Sequence, residues 1–292
     1  MNILVTGGSG FIGSHIADKF TEEGHRVVIF DSKKSNWINS KQKIVIGDIC
    51  DEKLLSKTTK NIDYVYHCAG MSDLNESLNN PILSAKSNIL GSLNLIEACI
   101  KNKVKKIIFA SSIYVFSKEG SFYRCSKKAV EDYIEEYSKQ KKIKYTILRF
   151  GSIYGPRSGH ANGLYNIIYN ALKNKKILTN SNNENIREYI HVKDISNACY
   201  EILSNKYDNK CLTLTGAEKI HYNDLINIIS EITSFKKVKT TAAKKTIGHY
   251  KNTPYSYLPN IGLKYNLKEN YDIGAGLIEL IETIDKEIND KK

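Results

Sequence analysis

Apolar and polar positions follow two rhythms along the first half of this chain. Short, nearly continuous apolar runs occur at Asn2–Thr6, Arg26–Phe30, Lys43–Ile46, Tyr64–His67, Lys106–Ala110 and Thr146–Phe150. Bounded runs of this length predict buried strands. Between them lie segments with a helical period: Phe11–Glu23, with Phe11, Ile12, Ile16 and Phe20 on one side, then Ile82–Asn102 and Lys127–Lys139. Strands that lack polar alternation are covered on both faces. Regular β–α alternation with right-handed crossovers then predicts an α/β fold, a doubly wound parallel sheet of Rossmann-like type.

Beyond Gly155-Pro156 the pattern loosens. Residues 157–186 are rich in Asn and Lys around one helical segment, Leu164–Asn174. A strand at Glu188–Val192, a helix from about Asp194 to Leu203 and a strand at Leu212–Thr215 follow. Tyr222–Ile232 reads as an amphipathic helix, and a last helix covers about Gly274–Asp290. The expected division is a first domain of residues 1–156 plus about 187–215, and a smaller C-terminal lobe of about 157–186 plus 216–292.

Composition narrows the class. The 292 residues are 41% hydrophobic and 25% charged, as in ordinary soluble domains. No run of 18 apolar residues occurs, so no membrane span is expected. The chain enters a strand pattern at once, so no signal peptide is expected. Cys50, Cys68, Cys99, Cys125, Cys199 and Cys211 are scattered without a C-x-x-C, which suits free thiols in a reducing cytoplasm and no metal site. The net charge of +12 comes almost wholly from dispersed lysines. That pattern argues against nucleic acid and for a diffuse field that attracts a small anion.

The first apolar run leads into T-G-G-S-G-F-I-G, with Gly7, Gly10 and Gly13 three apart. A strand, a glycine turn and an amphipathic helix in this order form a dinucleotide cradle. Glycine permits the tight turn and close backbone approach, and the helix N-terminus, opened by Phe11 and Ile12, faces the pyrophosphate. Asp31 ends the second strand, where a carboxylate accepts from ribose hydroxyls and repels a 2′-phosphate, which selects NAD over NADP. Asp48 and Ile49 follow the third strand, within reach of an adenine. His67-Cys68-Ala69-Gly70 ends the fourth. Its small residues Cys68, Ala69 and Gly70 admit the cofactor, and His67 reads as a packed core residue.

Ser111 and Ser112 end the fifth strand, at the edge of the sheet where ligands bind. Tyr123 and Lys127 follow in F-Y-R-C-S-K. Tyr-x-x-x-Lys also occurs at Tyr114/Lys118, Tyr137/Lys141, Tyr169/Lys173 and Tyr189/Lys193. On a helix, positions i and i+4 share a face. Lys118 falls in a K-E-G turn, Tyr137/Lys141 lies at the far end of its helix, and Tyr169/Lys173 lies in the second lobe. Tyr189/Lys193 sits in a strand pattern, where such residues are about 13 Å apart. Only Tyr123/Lys127 combines geometry with position. A free tyrosine ionises near pH 10, so acting as a base at neutral pH needs about 4 kcal/mol. A lysine ammonium about 4 Å away, at an effective dielectric near 20, supplies about that much.

These residues together resemble the extended short-chain dehydrogenase/reductase family, in its NAD-dependent nucleotide-sugar epimerase/dehydratase group. The likeness runs through T-G-G-S-G-F-I-G, H-C-A-G-M-S-D-L-N-E-S-L-N-N-P, Asn88-Ile89-Leu90-Gly91-Ser92, Y-R-C-S-K, L-R-F-G-S-I-Y-G-P-R and R-E-Y-I-H-V-K-D-I, and fades after about residue 235. It implies NAD as cofactor, a nucleotide-diphospho-sugar as substrate and a homodimer built from two paired helices per subunit. It also implies catalytic roles for Tyr123, Lys127 and Ser112. Ser77, Asn88 and Ser152 align near the site or its supports, and Arg187 aligns with a diphosphate-binding arginine. A planar guanidinium suits that task, and the chain has only five arginines.

The departures bear on the reaction. The segment from Ser112 to Tyr123 is short. Ile113 and Tyr114 stand where dehydratases of the family carry acids, so dehydration is disfavoured. A second phosphate-binding arginine is missing, with lysines and His249 nearby instead. The reading expected from the sequence is NAD-dependent epimerisation at C4 through a transient keto sugar. Net C4 oxidation or reduction is the alternative, and a non-catalytic NAD sensor is a third.

Overall fold

The structure is a computed structural model, and it describes residues 1–141, 143–179 and 185–239. The expected helix over about Gly274–Asp290 and the neighbourhood of His249 lie outside the described residues. All described residues belong to one compact unit, residues 1–256.

In chain order, strand β1 (Asn2–Thr6) leads to helix α1 (Phe11–Glu22), β2 (Arg26–Asp31), β3 (Lys43–Ile46), the short α2 (Glu52–Thr58) and β4 (Tyr64–His67). Next come α3 (Leu74–Asn79), α4 (Pro81–Ser84), a π-helical segment (Ala85–Leu90), α5 (Gly91–Lys101), β5 (Lys106–Ser112) and a 3₁₀ turn (Ile113–Phe116). Helix α6 (Ser121–Lys141), β6 (Lys144–Phe150), β7 (Ser152–Tyr154), α7 (Gly163–Asn174), β8 (Ile177–Thr179) and β9 (Ile186–His191) follow. The remaining described elements are α8 (Val192–Glu201), β10 (Lys210–Leu214), β11 (Lys219–His221), α9 (Tyr222–Thr233) and β12 (Lys237–Lys239).

Seven strands form one sheet in the order β10-β6-β5-β4-β1-β2-β3, every neighbouring pair parallel. The predicted doubly wound sheet is therefore present. The apolar runs pack on both faces because successive side chains point opposite ways. Leu4 joins Phe30, Val65, Leu95 and Ile147 under α2, α5 and α6. Ile3 and Val5 join Ile16, Phe20, Ile29 and Val192 under α1 and α8. Each fully buried Ile, Leu, Val or Phe contributes roughly 1.5–3 kcal/mol. A third, separate cluster joins Ala171, Ile177, Leu225, Ile226 and Ile229 from α7, β8 and α9.

Three local details differ from the sequence expectation. The helical rhythm over Ile82–Asn102 contains the π-helical segment, and the helix carrying Tyr123 begins at Ser121 and runs to Lys141. The β9 strand stops at His191, whose side chain accepts from Lys193 N–H at 3.3 Å and caps α8. Tyr189 and Lys193 thus stand on different elements, not in one strand. The short strand β7 pairs with β9, and β9 with β11, in a separate three-stranded sheet.

The chain winds outward from β1 in one direction through β2 and β3, then crosses to β4 on the other side of β1. The carboxyl ends of β1 and β4 therefore open a crevice at the topological switch point, where ligands of such sheets bind.

Candidate active site

The glycine turn after β1 sits at this crevice. Gly7 has φ +71, and a Cβ there would lie 2.6 Å from Ala69 N, beyond the end of β4. A Cβ on Gly13 would lie 2.2 Å from Gly7 O. Both positions demand glycine for close packing of α1, the turn and the end of β4. No side chain caps α1 and no acid stands in its first turn, so its leading amides suit a pyrophosphate. Asp31 Oδ2 accepts from Ser9 N–H at 3.0 Å, which ties the end of β2 to the glycine turn and sets the carboxylate beside it. Asp48 Oδ1 accepts from Cys50 N–H at 2.9 Å, and Ile49 beside it is buried. The site fits a bound dinucleotide. Gly13→Ala is expected to weaken NAD binding at least tenfold and to lower Tm, measured by NAD titration and thermal melting.

The end of β4 is tied down by hydrogen bonds. His67 is buried, with Nδ1 2.8 Å from Thr6 Oγ1 and Nε2 2.8 Å from Ser92 Oγ. The Ser92 hydroxyl donates to Asn88 O, so it accepts from Nε2–H, and Thr6 donates to Nδ1. Burial holds His67 neutral, with its pKa pushed down to about 3. It is a core residue, as its surroundings in the sequence suggest. Burial also pushes the neighbouring Cys68 thiol up to about 12.

The next strand brings the chemistry. Ser112 ends β5, 7% exposed, and its Oγ accepts from Tyr114 N–H at 3.3 Å. One turn apart on α6, Tyr123 and Lys127 face the same way. Lys127 is only 6% exposed. Its Nζ donates to Ala110 O at 2.7 Å and lies 4.7 Å from the centre of the Phe109 ring and 5.7 Å from that of Tyr123. The Tyr123 ring meets Tyr114 edge-on at 6.2 Å. Burial lowers the Lys127 pKa from 10.5 to about 8, so the ammonium persists at neutral pH. A unit charge at that ring distance, with an effective dielectric near 20, favours the phenolate by about 3 kcal/mol.

The base of α6 is held from two directions. Asn88, in the π-helical segment, accepts from Met71 N–H at 2.6 Å and donates to Met71 O at 3.0 Å and to Ser126 Oγ at 2.9 Å. Ser126 in turn donates to Tyr123 O at 2.8 Å. Asn88 thereby links the loop after β4 to the turn that carries the tyrosine. On the other side, Glu131, 1% exposed, takes two hydrogen bonds from Arg149, at 3.0 and 2.7 Å, and one from Ser111 Oγ at 2.6 Å. The Arg149 guanidinium also covers the Phe116 ring at 4.7 Å. This network fastens β5, β6, α6 and the 3₁₀ turn together. The Ser111 hydroxyl, expected near the cofactor, is directed into it. Arg149→Met leaves a buried carboxylate unpaired and is expected to destabilise the fold by about 3–5 kcal/mol, measured by urea denaturation. Glu131 was not singled out from the sequence, although its spacing of four from Lys127 places both on one helix face.

The family model for the NAD dependent epimerase/dehydratase family matches residues 3–213. The chain belongs to that family. It is an NAD-dependent enzyme of the extended short-chain dehydrogenase/reductase type. A protein of Methanocaldococcus jannaschii described as a putative UDP-glucose 4-epimerase is 31% identical over 255 residues, covering 80% of this chain and 83% of the relative. The UDP-glucose 4-epimerase of Thermotoga maritima, solved with UDP-glucose, superposes with TM-score 0.79 at 29% identity, over 88% of this chain and 90% of that one. The UDP-glucose 4-epimerase of Thermus thermophilus, solved with NAD, gives 0.78 at 26% identity, over 88% and 91%. The curated relatives also include proteins named as a dehydratase and decarboxylases.

Three further positions of this epimerase/dehydratase family member were expected to meet substrate. Ser77 is fully buried, its hydroxyl 2.8 Å from that of Ser84, and so joins α3 to α4. Ser152 pairs with Tyr189 in the register of β7 and β9. Arg187 precedes Tyr189 by two residues, so the pleat puts Ser152, Tyr189 and Arg187 on one face of the small sheet. All three belong to the strands that follow β6, whose Phe150 pairs with Ser112.

Proposed function

We propose that this protein is a nucleotide-diphospho-sugar 4-epimerase. The buried Lys127 ammonium beside the Tyr123 ring, one strand end from Ser112, carries the reading. Ser112 hydrogen-bonds the reacting oxygen of the sugar and fixes its direction. Tyr123, its phenolate favoured by Lys127, takes the proton of the C4 hydroxyl and later returns it. The glycine turn, Asp31 and the end of β4 would hold NAD, which would supply reversible hydride chemistry at C4. The keto sugar turns over within the site between these events, so the product differs only in configuration.

Residues 1–156 and about 187–215 would hold the cofactor. Residues about 157–186 and 216–292 would form the substrate lobe, a division that the separate core of α7, β8 and α9 supports. Arg187 would bind the diphosphate, with Ser152 beside the sugar. Exposed apolar side chains on the helices around α4 and α6, including Ile82, Leu83, Leu90 and Tyr133, support a homodimer. Ile113 is buried and Tyr114 stands against Tyr123, so no carboxylate follows Ser112 to drive elimination.

The test incubates the purified protein with a panel of UDP-sugars and follows C4 configuration by NMR. Inversion at C4 with no net NADH is the expected outcome. Retained configuration with stoichiometric NADH would replace epimerisation by net C4 oxidation.

A further inference from the structure

A second cavity, of about 450 Å³, opens at the opposite end of the sheet. Its floor is Val28 and Val45 with Leu54 and Ile62, and its rim carries Arg26, Lys43, Lys57 and Lys60. The register explains how these residues meet. Asn2 pairs with Arg26, and Val28 with Lys43. Paired residues, and residues two apart on a strand, share a face. Arg26, Val28, Lys43 and Val45 therefore all point toward the side on which α2 packs. That helix spans only Glu52–Thr58, about 10 Å, too short to cover the starts of β2 and β3.

The charge on this rim is uncompensated. None of the four cations makes an ion pair among the described residues; Asp63, three residues after Lys60, holds Lys105 and Asn2 N–H, and Glu23, three before Arg26, holds Lys19. Lys57 lies in the last turn of α2, where a cation complements the helix dipole. Arg26 and Lys43 sit on the sheet, where no such dipole acts, so the dipole does not account for the cluster. Like charges around one concavity repel, and an anion seated among them removes that cost.

We propose that this cavity is a nucleoside polyphosphate site, separate from the active site. The volume lies in the range of small-molecule pockets and exceeds what phosphate alone fills. Arg26 and the three lysines suit phosphate oxygens. The floor of Val28, Val45, Leu54 and Ile62 suits the flat face of a base, and Asn61 adds an amide at the rim. Arg26 and Asp31 end the same six-residue strand, about 16 Å apart. The dinucleotide crevice and this cavity thus occupy opposite ends of β2, and one ligand does not fill both.

The experiment titrates NAD-saturated protein with ATP free of divalent metal, by calorimetry, beside inorganic triphosphate. ATP is expected to bind with a sub-millimolar Kd and several-fold more tightly than triphosphate. Lys57→Glu/Lys60→Glu is expected to weaken ATP binding at least tenfold, with NAD affinity and Tm unchanged. The neutral Lys57→Gln/Lys60→Gln pair should give a smaller loss and serves where charge reversal impairs folding. Unchanged ATP affinity in both variants, displacement of NAD by ATP, or equal binding of ATP and triphosphate would overturn the proposal.

Discussion

Tyr123→Phe is expected to lower kcat about 10³-fold while NAD affinity and Tm stay close to those of the unaltered protein. The ring is half-buried and packs edge-on against Tyr114, and phenylalanine preserves that packing. What disappears is the oxygen proposed to exchange a proton with the sugar, and general acid–base groups are worth about 10²–10⁴ in rate. Steady-state epimerisation rates alongside NAD titration separate the two effects. A Tyr123→Phe enzyme that keeps more than a tenth of its rate would show that another group moves the proton.

Lys127→Met is expected to reduce kcat about 10²-fold and to abolish the fall in rate above pH 8. Burial depresses the folded-state pKa of Lys127 from 10.5 to about 8. As pH rises through 8 the ammonium is lost, and with it the positive charge that favours the Tyr123 phenolate. In the unaltered enzyme kcat/KM should therefore fall above pH 8. Lys127→Arg keeps its charge to far higher pH, so any residual activity should lack that alkaline fall. Stability moves the other way. A base whose folded pKa is depressed resists burial while charged, so the unfolded chain binds more protons between about pH 8 and 10.5. Folding stability should rise with pH across that window, and Lys127→Met should lose this rise. Urea denaturation at pH 7 and 9.5 measures it. Equal pH dependence in the variant and the parent would show that Lys127 is not the titrating group.

Much of the site was legible because its signals are local. The glycine turn, the strand that precedes it and the helix that follows occupy fewer than twenty-five residues, and the requirement for glycine arises within that unit. The tyrosine–lysine spacing is a property of one helix, and position along the chain sufficed to prefer Tyr123 over four other matches. Elements whose periodicity was short or interrupted were harder to read. The strands β7, β8, β11 and β12 have three residues each, too few for a period to show. The π-helical segment keeps a helical rhythm while shifting its register, and Asn88 owes its position to that shift.

From the amino-acid sequence alone came the parallel layering, the glycine turn and the pairing of Tyr123 with Lys127 that is proposed to react, since each rests on backbone conformation and side-chain spacing within one or two neighbouring elements. The tertiary structure decided which groups hold that pair in place. Glu131, Arg149 and Ser111 lie on three elements, Asn88 and Met71 on two more, and their contacts exist only once the order and register of the strands are set. The same holds for the basic cavity, where Arg26 of β2, Lys43 of β3 and the pair Lys57 and Lys60 at the end of α2 become neighbours because parallel pairing aligns the starts of β2 and β3 above a helix too short to cover them.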